Sequence, residues 1–145
     1  MAGNILLSGP AGAGKSQVAA RLRREASGPT VLADFQSLYA AIAGDVRGPD
    51  GRYPRRDNRL LPTVEYLRRA LITAAVARDI DVITTNSDGD PDRRAFLLQQ
   101  LGAGAVERIV DPGRAVVEAR LSDPETGELE TECHYAVERW YGRLR

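Results

Sequence analysis

Four short apolar runs recur along the chain, and each is followed by a stretch with helical spacing. NILLS at 4–8, TVLA at 30–33, DVITT at 81–85 and AVERIV at 105–110 have the length and composition of buried strands. Between them, apolar residues return every three or four positions. Val18, Ala19 and Leu22 share one face of a helix predicted from Lys15 to Ala26. FQSLYAAIA, directly after Asp34, makes a short second helix. Pro62 opens a third to Arg78, with Val64, Leu67, Leu71, Ala74 and Ala75 at core spacing. Asp90–Pro91 and Asp111–Pro112 each read as an N-cap followed by the first helical residue. The helix after the first pair carries Phe96, Leu97 and Leu101, and the helix after the second runs to Leu121. A last helix from Thr131 puts Cys133, Val137, Trp140, Tyr141 and Leu144 on one face.

Strand–helix alternation predicts an α/β fold, a parallel sheet between two layers of helices. Ligands of such sheets bind at the carboxyl ends of the strands. Segments 8–16, 33–37, 84–90 and 110–114 converge on that edge. Two stretches break the pattern. Residues 44–61 form a long loop rich in Gly, Pro and Arg, and residues 121–130 form an acidic, lid-like loop.

Composition narrows the classes without choosing one. The chain of 145 residues suits a single domain, 1–145. It is 43% hydrophobic and 28% charged, and its 20 basic and 20 acidic residues cancel. No global basic field announces nucleic acid. Cys133 is alone, which excludes an intrachain disulfide and a cysteine-rich zinc site. No apolar stretch approaches the ~20 residues that span a bilayer. A cytoplasmic protein with no membrane partner is expected.

The strongest chemical signal is GPAGAGKS, Gly9 to Ser16. It meets the Walker A pattern G-x-x-x-x-G-K-[ST] between a strand and a helix. Glycines let successive backbone N–H groups face one anion, and the helix N-terminus adds a favourable dipole. The candidate nucleotide-binding set is Gly9, Pro10, Ala11, Gly12, Ala13, Gly14, Lys15, Ser16 and Gln17. Lys15, the only lysine of the chain, is expected to reach the β- and γ-phosphates. Ser16 is expected to ligate Mg²⁺, with Asp34 and Asp88 as candidate carboxylate ligands. ATP and Mg²⁺ are thus the implied cofactors.

The fate of the terminal phosphate is the remaining question. TTNSDGD lacks the lysine of the guanine-reading N-K-x-D segment. Asp81 stands at the wrong end of its strand to serve as a metal-side acid. Asp34, just past the second strand, is placed to accept a proton from an acceptor hydroxyl. The same position suits an N-cap, and the two roles are compatible. On the acceptor side, loop 44–61 offers Arg47, Arg52, Arg55, Arg56 and Arg59 for phosphate contacts and Tyr53 for stacking. Arg93 and Arg94 read as a solvated face, and His134 has no partner cluster.

GPAGAGKS, VLADFQSLYAAI, VITTNSDGDPDRRAFLLQQLGA and ERIVDPGRAVVEARL, in that order, resemble the P-loop kinases of the polynucleotide kinase type. The resemblance implies a four-stranded sheet in the order 2-3-1-4. It implies Asp34 as general base and Arg120 as the lid arginine over the γ-phosphate. It also implies transfer of the γ-phosphate of Mg·ATP to a hydroxyl or phosphate of a nucleic-acid end, nucleoside or nucleotide. Thr85 and Asn86 match the T-N pair of that family. The departures are the absence of arginine in DFQSLY, Thr84 in place of an acid, and the acidic SDPETGELETE segment. The chain is also similar to small ATP-binding proteins of tailed phages. The alternatives are an ATP-binding regulatory or assembly protein with slow turnover, and an ATPase whose missing arginine comes from a protein partner.

Overall fold

The computed structural model describes residues 3–44, 58–122 and 137–142. Four strands, β1 (Ile5–Ser8), β2 (Thr30–Ala33), β3 (Asp81–Asn86) and β4 (Val106–Ile109), form one sheet in the order β2-β3-β1-β4. Every neighbouring pair is parallel. Parallel pairing requires a crossover between strands, and helices supply each one. These are α1 (Lys15–Glu25), α2 (Phe35–Ala43), α3 (Leu61–Ala77), α4 (Pro91–Leu101) and α5 (Arg114–Ser122). A single 3₁₀ turn, Asn58–Leu60, leads into α3. Residues 137–142 are also helical.

The central strands are the most apolar because they are covered on both faces. Leu6, Leu7, Val82 and Ile83 are buried. On one face, Leu6 and Val82 pack with Ile72 and Ala75 of α3 and with Leu97 and Leu101 of α4. On the other, Ile5, Leu7 and Ile83 pack with Ala19 of α1. A third cluster joins Ala13, Val117, Leu121 and Val137. It seats α5 and the 137–142 helix directly against the glycine-rich loop.

The strand and helix boundaries follow the sequence pattern within a few residues, with two informative differences. The helix expected from Pro112 begins at Arg114. Gly113 sits at φ +106°, outside helical geometry, and Asp111 accepts a hydrogen bond from the Gly113 N–H at 2.9 Å. Asp111 therefore shapes a turn. In α3 the buried positions are Val64, Arg68, Ile72 and Ala75. Leu67 and Ala74, expected inside, are exposed. The helix is rotated by about one position, and an arginine lies in the buried stripe. Arg47, Arg52, Tyr53, Arg55 and Arg56, together with Cys133, His134 and the lid-like loop from 123 onward, lie outside the described residues.

Candidate functional site

The loop between β1 and α1 is shaped by three glycines. Gly9 leaves the strand with its N–H bonded to the Asn86 carbonyl at 3.0 Å. A Cβ at Gly9 would lie 2.0 Å from the Val110 carbonyl oxygen, a backbone atom that cannot swing away. Gly12 and Gly14 adopt φ of +80° and +94°, the region that glycine enters without steric cost. No side chain caps the N-terminus of α1, and its first turn carries no acid. The positive end of the helix dipole thus points into the loop, which fits a polyphosphate. Gly9→Ala is expected to cost about 1–3 kcal/mol through forced overpacking, readable by chemical denaturation.

Lys15 is buried and folds back over the loop. Its Nζ donates to the carbonyls of Gly9 at 2.7 Å and Pro10 at 2.8 Å. Ser16 and Gln17, one and two residues on, are exposed. Arg120 reaches the same loop from α5, its Nη1 donating to the Gly12 carbonyl at 3.2 Å. The clamp arginine suggested by the resemblance is therefore in contact with the glycine-rich loop. Arg120 is exposed, so Arg120→Ala is expected to leave stability within about 0.5 kcal/mol of the parent. If it contacts the γ-phosphate, turnover should fall about 10–100-fold, the worth of one charge-assisted hydrogen bond.

Asp34 ends β2 and caps α2, its Oδ2 accepting from the Ser37 N–H at 3.3 Å. The residue is only 4% exposed. Its Oδ1 is buried and has no hydrogen-bond partner among the described residues. Both sequence readings of Asp34 are compatible with this geometry, because the cap occupies one oxygen and leaves the other. Thr84, where the kinase pattern has an acid, is fully buried and donates its hydroxyl to the Ala33 carbonyl at 2.7 Å. A carboxylate at that position would face a carbonyl oxygen with no proton to share, so threonine suits this contact.

Arg68 is the residue that sequence periodicity missed. It is 4% exposed, and its Nη1 donates to the Thr85 carbonyl at 2.7 Å. Its Nη2 meets Glu65 at 3.0 and 2.9 Å. Arg93 of α4 closes on the same Glu65 carboxylate. Burial pulls the Arg68 pKa below the ordinary arginine value; Glu65 opposes this, Arg93 adds to it, and the Asp34 carboxylate also opposes it. Arg93 and Arg94 are thus engaged, Arg94 with Glu107 on β4.

Asn86 and Asp88 shape the turn after β3. The Asn86 amide donates to the Asp88 carbonyl at 3.0 Å, and Asp88 Oδ1 accepts from the Asp90 N–H at 2.9 Å. Asp88 also pairs with Arg139 at 3.6 Å. A Cβ at Gly89 would lie 3.1 Å from the Trp140 Cα, so this turn and the 137–142 helix touch closely. Nearby, Tyr141 donates to Asp111 at 2.7 Å; burial, reinforced by that acid, pushes its hydroxyl up to about 12. Among the described residues no group of three or more His, Cys, Asp or Glu could hold a metal ion.

No family model matches the chain, and no curated protein matches it. Solved structures do. A chain of the Pnkp1/Rnl/Hen1 RNA repair complex superposes with a TM-score of 0.70 at 14% identity, over 99% of this chain. This chain spans 45% of that one's length. A gluconokinase from Sinorhizobium meliloti 1021 aligns with a TM-score of 0.57 at 17% identity, covering 99% of this chain and 75% of its own. A sugar kinase from Janibacter sp. HTCC2649 gives 0.52 at 19% identity, covering 99% and 95%. The chain shares the fold of these structures. At such identities the likeness speaks for the fold alone, so the chemistry must be argued from the site. Among the described residues no helix is long and apolar enough to cross a membrane.

Proposed function

We propose that this protein is a Mg·ATP-dependent kinase that moves the γ-phosphate to a hydroxyl or phosphate of a nucleic-acid end, nucleoside or nucleotide. The observation that carries the reading is Asp34. A buried carboxylate with one oxygen unpartnered among the described residues stands at the carboxyl end of β2, with β3 between it and β1, the strand that leads into the glycine-rich loop. A carboxylate so placed can take the proton of an acceptor hydroxyl. Likeness to a chain of an RNA repair complex and to two sugar kinases supports transfer, and the former supports the nucleic-acid side of it.

Each residue then has a role. The loop N–H groups and the α1 N-terminus hold the β- and γ-phosphates, and Lys15 leaves the Gly9 and Pro10 carbonyls to pair with them. Arg120 clamps the γ-phosphate from above the loop. Ser16 would hold Mg²⁺, which when bound would neutralise charge on the phosphates. Asp88, tied into its turn, is the secondary metal contact. For a hydroxyl acceptor, the oxygen attacks phosphorus and the bond to the bridging oxygen of ADP breaks. The hydroxyl proton passes to Asp34.

Acceptor-stimulated ADP release tests this. Purified protein with Mg·ATP should release ADP faster when 5′-hydroxyl oligonucleotides, nucleosides or nucleoside monophosphates are added. Release that no acceptor changes would favour the ATPase or regulatory binder instead.

A further inference from the structure

The outer face of α3 and α4 carries a pattern that the site does not use. Tyr66 is 71% exposed, more than any other large hydrophobic side chain among the described residues. Arg69, one turn further along α3, is exposed too, and its guanidinium lies over the Phe96 ring of α4, 5.0 Å from the centroid. No acid pairs with Arg69 among the described residues. Beside it, Arg68 and Arg93 share the single Glu65 carboxylate, which leaves a positive charge in excess. The exposed positions of α3 include no acid. Asp92 stands in the first turn of α4, where the helix dipole favours a negative charge. The chain as a whole is neutral, so the positive character of this face is a local arrangement. Both helices begin at the ligand edge of the sheet: Arg68 meets the carbonyl of Thr85 near the carboxyl end of β3, and α4 follows the turn after that strand.

We infer that this face is a binding surface for single-stranded nucleic acid, with a base stacked on Tyr66 and phosphates met by Arg69 and Arg93. An exposed aromatic ring beside arginines is the combination that holds a single strand, because every base has a π-face and every linkage an anion. The guanidinium fork suits phosphate oxygens, and Arg69 is already steadied by its ring contact. An acidic peptide would answer the charge and leave Tyr66 unused. A duplex hides the faces of its bases in the stack. The surface stands apart from Asp34 and the glycine-rich loop and does not depend on the kinase reading. That it presents a strand end to the site rests on that reading.

Fluorescence anisotropy of a short labelled oligoadenylate with the full chain, without ATP, tests the surface. Tyr66→Ala should weaken binding about 5–100-fold, the worth of one stacked base. Arg69→Gln should flatten the slope of log affinity against log salt by about 0.7, one phosphate contact fewer. Arg24→Gln, an equal charge change at the exposed end of α1, should alter neither. No binding, equal losses in the Arg24 and Arg69 variants, or full competition by polyglutamate would each overturn the inference. Transfer assays separate it from the kinase reading. Both surface variants should raise KM for a 5′-hydroxyl oligonucleotide and leave transfer to a nucleoside unchanged. Transfer to nucleosides by a chain that binds no oligonucleotide would overturn the surface and leave the kinase. Oligonucleotide binding that Tyr66→Ala weakens, with no transfer to any acceptor, would sink the kinase reading and leave the surface.

Discussion

Asp34→Asn is expected to slow phosphoryl transfer by about 10²–10⁴ while ATP affinity stays nearly constant. The substitution separates the two jobs of this residue. Asparagine caps helices about as well as aspartate, so the contact with the Ser37 N–H survives. What is lost is the ability to take a proton. Asp34→Ala removes the cap as well and should add a stability loss of about 0.5–2 kcal/mol. Paired measurements of transfer rate and denaturation midpoint check both. If Asp34 is only a cap, the asparagine variant turns over like the parent and the alanine variant is merely less stable.

The second large effect lies in α3. Ile72→Ala is expected to cost about 2–5 kcal/mol, whereas Leu67→Ala should stay within about 0.5 kcal/mol. Ile72 is completely buried against β3 and α4, and Leu67 is 38% exposed. Urea denaturation of the two variants reads the rotational setting of the helix. That setting matters to the site because it is what turns Arg68 inward. A helix set by Leu67 and Leu71 instead would carry Arg68 away from the Thr85 carbonyl that it now meets.

The same helix shows where sequence reasoning stops. Apolar residues are dense in LPTVEYLRRALITAAVA, so more than one face satisfies helical spacing. A buried guanidinium needs partners, and those partners are not visible in the periodicity. One is a backbone carbonyl on β3, and another, Glu65, stands one turn earlier on the same helix. Arg93 joins only because α4 packs beside α3. The Glu65–Arg68 spacing of three was a local signal that could have prompted the question. Asp111–Pro112 misled in a different way. Its pattern matches Asp90–Pro91, but Gly113 at φ +106° delays the helix by two residues.

The legible features were those with local causes. Strand order came with the kinase resemblance, and the sheet has it. The glycine-rich loop, the position of Asp34 at a strand end and the Asp90 cap each depend on a few adjacent residues. Arg120 is an intermediate case. Its contact with Gly12 depends on α5 packing against Ala13 through Val117 and Leu121, residues far from the loop in sequence.

The most direct measurement follows the γ-label of ATP in the presence of Mg²⁺ and a mixed panel of acceptors, with Lys15→Ala as the blank. The account predicts label on an acceptor, absent from the blank. Label only in free phosphate, or nowhere despite ATP binding, would contradict it.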